Sequence, residues 1–560
     1  MRHAIGRRTT VRPLPLVLPE TEAFWTGGRD GRLCMKRCPA CARLWHPSHA
    51  VCATCQHPEL EPAAVSGRGT VVGFTINHQQ WLPDPAPPYV VAIVALDDDP
   101  RVRLTTNVVD AEPDDVHVGL RVQVRFEQHD DVWLPVFAPA SDGDDGPSAA
   151  SAQAPLPEVA VRPKVSGDRF EDRVAITGIG MSDVGRRLMR PALALTVDAC
   201  LAAVADAGLT ASDIDGLTTW PGAARGATGI SEGGIGPVAN ELGIRPTWHN
   251  AGMETPGHGG AVVAAMLAVA SGLCRHVLCY RTVWESTATE LMRSGRLTPP
   301  AQGRVDGDFQ WLVPFGAASA ANWIAMYASQ YFHRFGGDRE MLGRIALNAR
   351  ANAAHNPAAI YRDPLTMDDY LDARMITTPF GLYDCDVPCD GAIALVVSAV
   401  DAAADAPNPM VGVEAVGTQV TERVSWDQGT VTHEPMVFGP AAHLWSRTDL
   451  TPADVDVAEI YDGFTFNCVS WLEALGFCGV GEAPAFLAGG TEIAVDGPLP
   501  LNTHGGQLSA GRTQGFGFLH EAVVQLRGAG GARQVDGAEV AVVTTGGGVP
   551  GGAMLLTRAR

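Results

Sequence analysis

The sequence predicts an α/β protein of two similar halves, each a sheet covered by helices, preceded by a small all-β domain. Three observations predict it. Short β-branched runs fill residues 63–140, strands alternate with small-residue helices after residue 173, and two Cys-x-x-Cys pairs stand near the start. A chain of 560 residues is also too long for one core.

Residues 1–18 form a basic tail, "MRHAIGRRTTVRPLP", with no apolar stretch of the kind a secretory signal needs. Residues 19–62 hold a short helix and the paired cysteines. In residues 63–140 the runs "GTVVGFTINH", "YVVAIVALDDD", "VRLTTNVV", "GLRVQVRFEQ" and "WLPVFAPA" are strands parted by Gly, Pro and Asp turns, as in a small barrel or sandwich. Residues 141–172 are rich in Pro, Ala, Ser, Gly and Asp without apolar period, a linker. In residues 173–405, "VAITGIGMS" is a buried strand, "ALALTVDACLAAVADAG" a helix, and "GGAVVAAMLAVASGLCRHVLCYR" a helix running into a strand, with "GAIALVVSA" another strand. Residues 406–560 open on "MVGVEAVGT", a weak echo of "VAITGIGMS", and close on "EVAVVTTGGGVPGGAMLLTR".

A net charge of −21 excludes a general nucleic-acid binder, which needs clustered Lys and Arg to neutralise phosphates. No apolar run reaches the ~18 residues that cross a bilayer. Of twelve cysteines, five cluster at 34–55 and the others are scattered, which suits one metal site in a reducing cytoplasm better than a disulfide framework.

Cys38-Pro-Ala-Cys41 and Cys52-Ala-Thr-Cys55 are two knuckles ten residues apart. Each turns two thiolates toward one point, and four thiolates complete the closed tetrahedral shell of a structural Zn²⁺. Cys34 lies outside the spacing and is a bystander. The segment "FWTGGRDGRLCMKRCPACARLWHPSHAVCATC", followed by "SGRGTVVGFTINH", "PPYVVAIVAL" and "LPVFAPA", resembles a family of small proteins with a zinc ribbon and an OB-fold. The resemblance implies partnership with thiolase-like enzymes.

The remainder resembles the thiolase superfamily, in particular its sterol carrier protein X and lipid-transfer branches, through "VAITGIGMSDVGRR", "TTPFGLYDCDVPCDGAIALVVS", "AEIYDGFTFN", "LNTHGGQLSAGR" and "TTGGGVPGGA". That implies a thiolase-like fold of duplicated α/β/α layers. A thiolase needs a nucleophilic Cys at a helix N-terminus. Here the turn "NAGMETPGHGG" has none, with Thr255 or Pro256 near its place. The His of Gly-His-Pro is Arg512, and Thr544 stands where the acid/base Cys is expected. Losing these groups together excludes ordinary Claisen chemistry through a Cys acyl-enzyme and leaves retro-aldol cleavage beside a thioester, which needs only a base, donors for the enolate and a proton.

The loops resemble the actinobacterial steroid side-chain aldolases, which work with a zinc-ribbon/OB partner and release propionyl-CoA. The expectation is thus an aldolase acting on a β-hydroxyacyl-CoA, CoA being part of the substrate. The competing readings are a thiolase-like acyltransferase with an unrecognised nucleophile and a non-catalytic acyl-CoA or lipid carrier. Tyr461, His504 and Tyr383 are the expected acid/base groups. His258, Arg512, Gly505, Gly506, Gly547 and Gly548 are the expected substrate contacts. A homodimer through the thiolase-like domain and an upstream hydratase or dehydrogenase of the same pathway are the expected protein partners.

Overall fold

The computed structural model describes residues 12–141, 159–163, 167–223, 228–231, 233–298, 303–403, 406–423, 425–426, 428–547 and 551–558. Most of the expected linker, and Gly548, lie outside them.

The two α/β halves share one nine-stranded mixed sheet. Its order is Trp248–Ala251, Gly216–Thr219, His276–Trp284, Asp390–Ala399, Val174–Met181, Val411–Gly417, Gly552–Arg558, Val540–Thr545 and Val457–Glu459. The halves meet where Val411 pairs with Ile176, and Gly412 with Ala175. The central strands are largely apolar and buried because helices cover both faces; nine of the ten residues of Asp390–Ala399 are buried. The helix Gly260–Ala270 has no polar face for the same reason, and eight of its eleven residues are buried. The helix Ala320–Phe335 starts where the Ser319 side chain accepts from the Ala321 N–H and stops at Gly336, whose φ of 75° an L side chain rarely adopts.

The N-terminal part is a ribbon of three short strands, with Leu33–Arg37 between Leu44–Trp45 and Glu61–Val65, beside a barrel. The barrel strands Arg68–Asn77, Tyr89–Leu96, Asp99–Val108, Arg121–His129 and Val132–Pro139 close when residues 68–70 pair with 121–123.

One element is not foreseen in the sequence. A hairpin of the α/β part, Met375–Thr377 with Phe380–Gly381, extends the barrel sheet through Thr377 opposite Asn77. The seam around it is buried and polar. Thr75 and Thr377 hydroxyls lie 2.6 Å apart, and the Asn322 amide donates to Asn77 Oδ1 and Thr377 Oγ1, both at 3.0 Å. Farther along, Trp25 stacks on Trp311 with centroids 5.1 Å apart and donates to Gln310.

Candidate active site

Four glycine-rich or polar turns converge at one end of the nine-stranded sheet. The turn before helix Gly260–Ala270 carries His258, whose ring lies on that of Tyr461, centroids 5.2 Å apart and planes 19° apart. Trp220 meets the other side of His258 edge-on at 4.3 Å. The Thr255 hydroxyl, one of the two positions expected near the place of the missing nucleophile, donates to the Gly257 carbonyl. Strand alternation sends the two threonines of "VVTTGGG" different ways. Thr544 Oγ1 accepts from the Tyr461 N–H at 2.8 Å, while Thr545 packs against Gly257 and Gly259.

Tyr461 is partly buried, among charges. Burial pushes its phenol well above the usual range; Asp386 and Asp462 add to this, while Arg512 and the Gln507 amide oppose it. Asp462 is fully buried, its Oδ1 accepting from the Gln507 N–H at 2.7 Å, and burial pushes it up to about 7. Gly506 is needed there: its φ is 58°, and a methyl group on it would overlap Asp462 Oδ2. Gly505 has φ 104° and packs on Ala353.

Arg512 does not point to open space. Its guanidinium reaches Asp386 at 3.0 Å and Glu285 at 3.2 Å, and its N–H donates to the Val387 carbonyl at 2.9 Å. Burial works against this cation, but the two carboxylates hold it firmly charged. Burial also pushes Asp386 up to about 7 despite Arg512. The Asp386 N–H donates to Gly463 O at 3.1 Å, so one residue holds both Arg512 and the turn that bears Tyr461.

His504 stands apart from this cluster. Its Nδ1 is 3.0 Å from Glu459 Oε2; burial opposes protonation, and the Glu459 charge outweighs it, so the imidazole titrates above its usual value. Its ring and that of Tyr461 both contact Phe518, at 5.4 and 6.1 Å between centroids. It lines a narrow cavity with Gly511, Thr513, His520 and Arg533 that Tyr461 does not reach. Tyr383 lies in the turn Leu382–Asp384 under the Arg350 guanidinium, 5.6 Å from ring centroid to Cζ. Gly547 leaves room for the Asn467 amide, which donates to its carbonyl.

Sequence reasoning did not single out Asp386, Glu285, Gln507, Trp220 or Arg281. Arg281 alone had a local signal, a cation within the apolar strand "HVLCYRTVW".

The four ribbon sulfurs lie within 4.8 Å of one another, with Cys38 to Cys55 at 3.5 Å and Cys41 to Cys52 at 3.6 Å. A zinc tetrahedron with ~2.3 Å bonds places its sulfurs about 3.8 Å apart, so the cage has the right size. Cys34 pairs with Ala64 in the ribbon sheet and is not one of the four.

Fold and site together define a thiolase-like protein without the thiolase cysteine, joined to a ribbon-and-barrel domain. Residues 429–556 match the thiolase C-terminal domain-like family, and residues 63–127 the C-terminal OB-fold domain of ChsH2. A steroid side-chain-cleaving aldolase of Thermomonospora curvata is 36% identical over 390 residues, 68% of this chain and 97% of the relative. The 17-hydroxy-3-oxo-4-pregnene-20-carboxyl-CoA lyase of Mycobacterium tuberculosis is 38% identical over 403 residues, 69% and 99% of the two chains. The solved Ltp2-ChsH2(DUF35) aldolase superposes with a TM-score of 0.60 at 34% identity, covering 69% of this chain and 98% of that one. The chain belongs to this family of steroid side-chain-cleaving aldolases.

Proposed function

We propose that the protein cleaves a β-hydroxyacyl-CoA, of the steroid side-chain class named in its relatives, to a ketone and propionyl-CoA or acetyl-CoA. The observation that carries the reading is the turn before helix Gly260–Ala270, which holds no Cys and stacks the His258 imidazole on Tyr461. The nearby thiols are no substitute. Burial pushes Cys385, Cys389 and Cys468 far above the range in which a thiolate forms.

A base removes the β-hydroxyl proton, the O–H pair becomes the ketone C=O, and the Cα–Cβ pair passes to the thioester as an enolate that then takes a proton at Cα. Asp386, with a pKa near neutrality, suits the first transfer. Tyr461, held protonated by burial, suits donation to the enolate. The proton on Asp386 then restores the phenol, so the cycle closes without a co-reactant. His504, held by Glu459, supports the loop from the side away from Tyr461, and Arg512 fixes the turn rather than a CoA phosphate. Tyr383 shapes the turn that leads to Asp386. Hydration of an enoyl-CoA is the reaction class that creates the required hydroxyl, which supports an upstream hydratase.

We assign Zn²⁺ to Cys38, Cys41, Cys52 and Cys55, where it would lock the ribbon. The homodimer we favour pairs the Trp248–Ala251 edge, whose His249 and Ala251 are exposed, whereas the opposite edge strand Val457–Glu459 is buried. We place the protein in the cytoplasm on its cysteine pattern, one metal cluster with the other thiols scattered; no helix among the described residues is long and apolar enough to cross a membrane.

The test is incubation with a β-hydroxyacyl-CoA bearing a tertiary alcohol, following ketone and short-chain acyl-CoA. The two should appear in equal amounts, and iodoacetamide should leave the rate unchanged. No cleavage of any steroid or aromatic substrate would sink the aldolase reading, and inactivation by iodoacetamide would restore the hidden-nucleophile alternative.

A further inference from the structure

Arg281 is among the most deeply buried side chains in the molecule, 1% exposed, yet it has no ion pair among the described residues. Its guanidinium donates to the carbonyls of Ile230 and Thr282 and to Gln514 Oε1, and its Nε is buried with no partner. Burying an unpaired charge is costly, and a fold tolerates it where the charge is used. The carboxylates at hand, Glu285 and Asp386, both ion-pair with Arg512, and Glu285 acts on Arg281 only through its field.

Two lines of contact lead from Arg281 to Tyr461. Its Cζ lies 5.0 Å from the Trp220 ring centroid; Trp220 meets His258 at 4.3 Å, and His258 stacks on Tyr461 at 5.2 Å. On the other side Gln514, which accepts from Arg281, donates its N–H to Gln507 Oε1 at 2.9 Å, and Gln507 lies beside the phenol. The imidazole between them is neutral, since burial and Arg281 itself lower it to about 3, so it adds no charge of its own.

We infer that Arg281 is a positioning residue acting through Tyr461: its guanidinium, without an ion pair among the described residues, is the fixed positive charge that balances an anion formed at the Tyr461 hydroxyl. The other charges facing that hydroxyl are Arg512, Asp386 and Asp462, and the first two are already paired. The retro-aldol step moves one negative charge from the Asp386 carboxylate to the enolate and then to the Tyr461 oxygen, and a cation fixed before the reaction stabilises the charge at its new place without reorganisation. This role rests on the reading of Tyr461 as the group that meets the enolate.

The experiment replaces Tyr461 by 3-nitrotyrosine, which ionises near neutrality and absorbs visible light as the phenolate, and so reports the field at that oxygen directly. In this background Gln514→Glu puts a carboxylate on Arg281 while leaving the guanidinium and the packing in place. The nitrophenol should then titrate about one pH unit higher, with kcat of the corresponding single variant down roughly tenfold and KM little changed. Arg281→Gln should move it at least as far, and Arg281→Lys should restore most of the shift. A titration unmoved by Gln514→Glu in the folded protein overturns the role of Arg281 and leaves the aldolase reading standing. Tyr461→Phe tests that reading alone: undiminished cleavage overturns the part given to Tyr461, and with it that of Arg281.

Discussion

The imidazole of His258 lies nearly parallel to the phenol of Tyr461, 5.2 Å from centroid to centroid. The turn that would present a nucleophile in a thiolase has become one wall of a pocket for a tyrosine. Loss of the cysteine and the new phenol environment are therefore one structural change.

His258 acts by packing, since its lowered pKa keeps it neutral throughout the working range. His258→Ala should remove a stacking contact worth about 0.5–1.5 kcal/mol and lower kcat about tenfold. The shape of the pH–rate profile should not change. A new inflection between about pH 5 and 8 would mean that the imidazole titrates there after all.

Asp386 should set the acidic limb. As acceptor it must be ionised, so kcat/KM should fall as pH drops through about 7, and Asp386→Asn should abolish that limb with a loss of ~10²–10⁴-fold. Stability should move the other way. The folded pKa is raised, so between about pH 4 and 7 the folded state holds the extra proton, and stability from this group is lost as pH rises. Urea melts at about pH 5 and pH 8 should show a smaller difference for the Asn variant than for the parent.

Cys38→Ser with Cys52→Ser should release the ribbon metal, read as about one zinc per chain falling to none by elemental analysis. Unchanged metal content would refute the site.

Asn322→Ala should remove two buried hydrogen bonds, to Asn77 Oδ1 and Thr377 Oγ1, and destabilise the joined domains by about 1–3 kcal/mol in thermal or urea melts. An unchanged melt would show that the seam hydrates freely.

Gly506→Ala places a methyl group into Asp462 at a left-handed backbone position and should abolish most activity. Retained activity would show that the Asp462 carboxyl is free to move.

The elements built on local pattern were legible. The ribbon follows from cysteine spacing, the central strands from apolar runs bounded by turns, and the turns holding Tyr461 and Gly505–Gly506 from their glycines. What was not legible depends on distant partners. Asp386 and Glu285 are ordinary acids in the sequence, and only folding brings them to Arg512. His504 looked like a partner of Tyr461 because both sit in family-like motifs. Its ring turns instead to Glu459, the last residue of the strand Val457–Glu459, while Tyr461 lies in the turn beyond the strand end. The hairpin at 375–381 was too short to carry a strand signal of its own.

That hairpin has a consequence for how the chain is made. The barrel strand ending at Asn77 obtains its neighbour Thr377 only after three hundred further residues have been added. At ~5–20 residues per second, the barrel spends about 15–60 s of synthesis with an uncovered strand edge. Such an edge invites pairing with other chains. Ribosome-bound intermediates stopped between these two points are therefore the species from which misassembly should begin, and the place where a chaperone would be most needed.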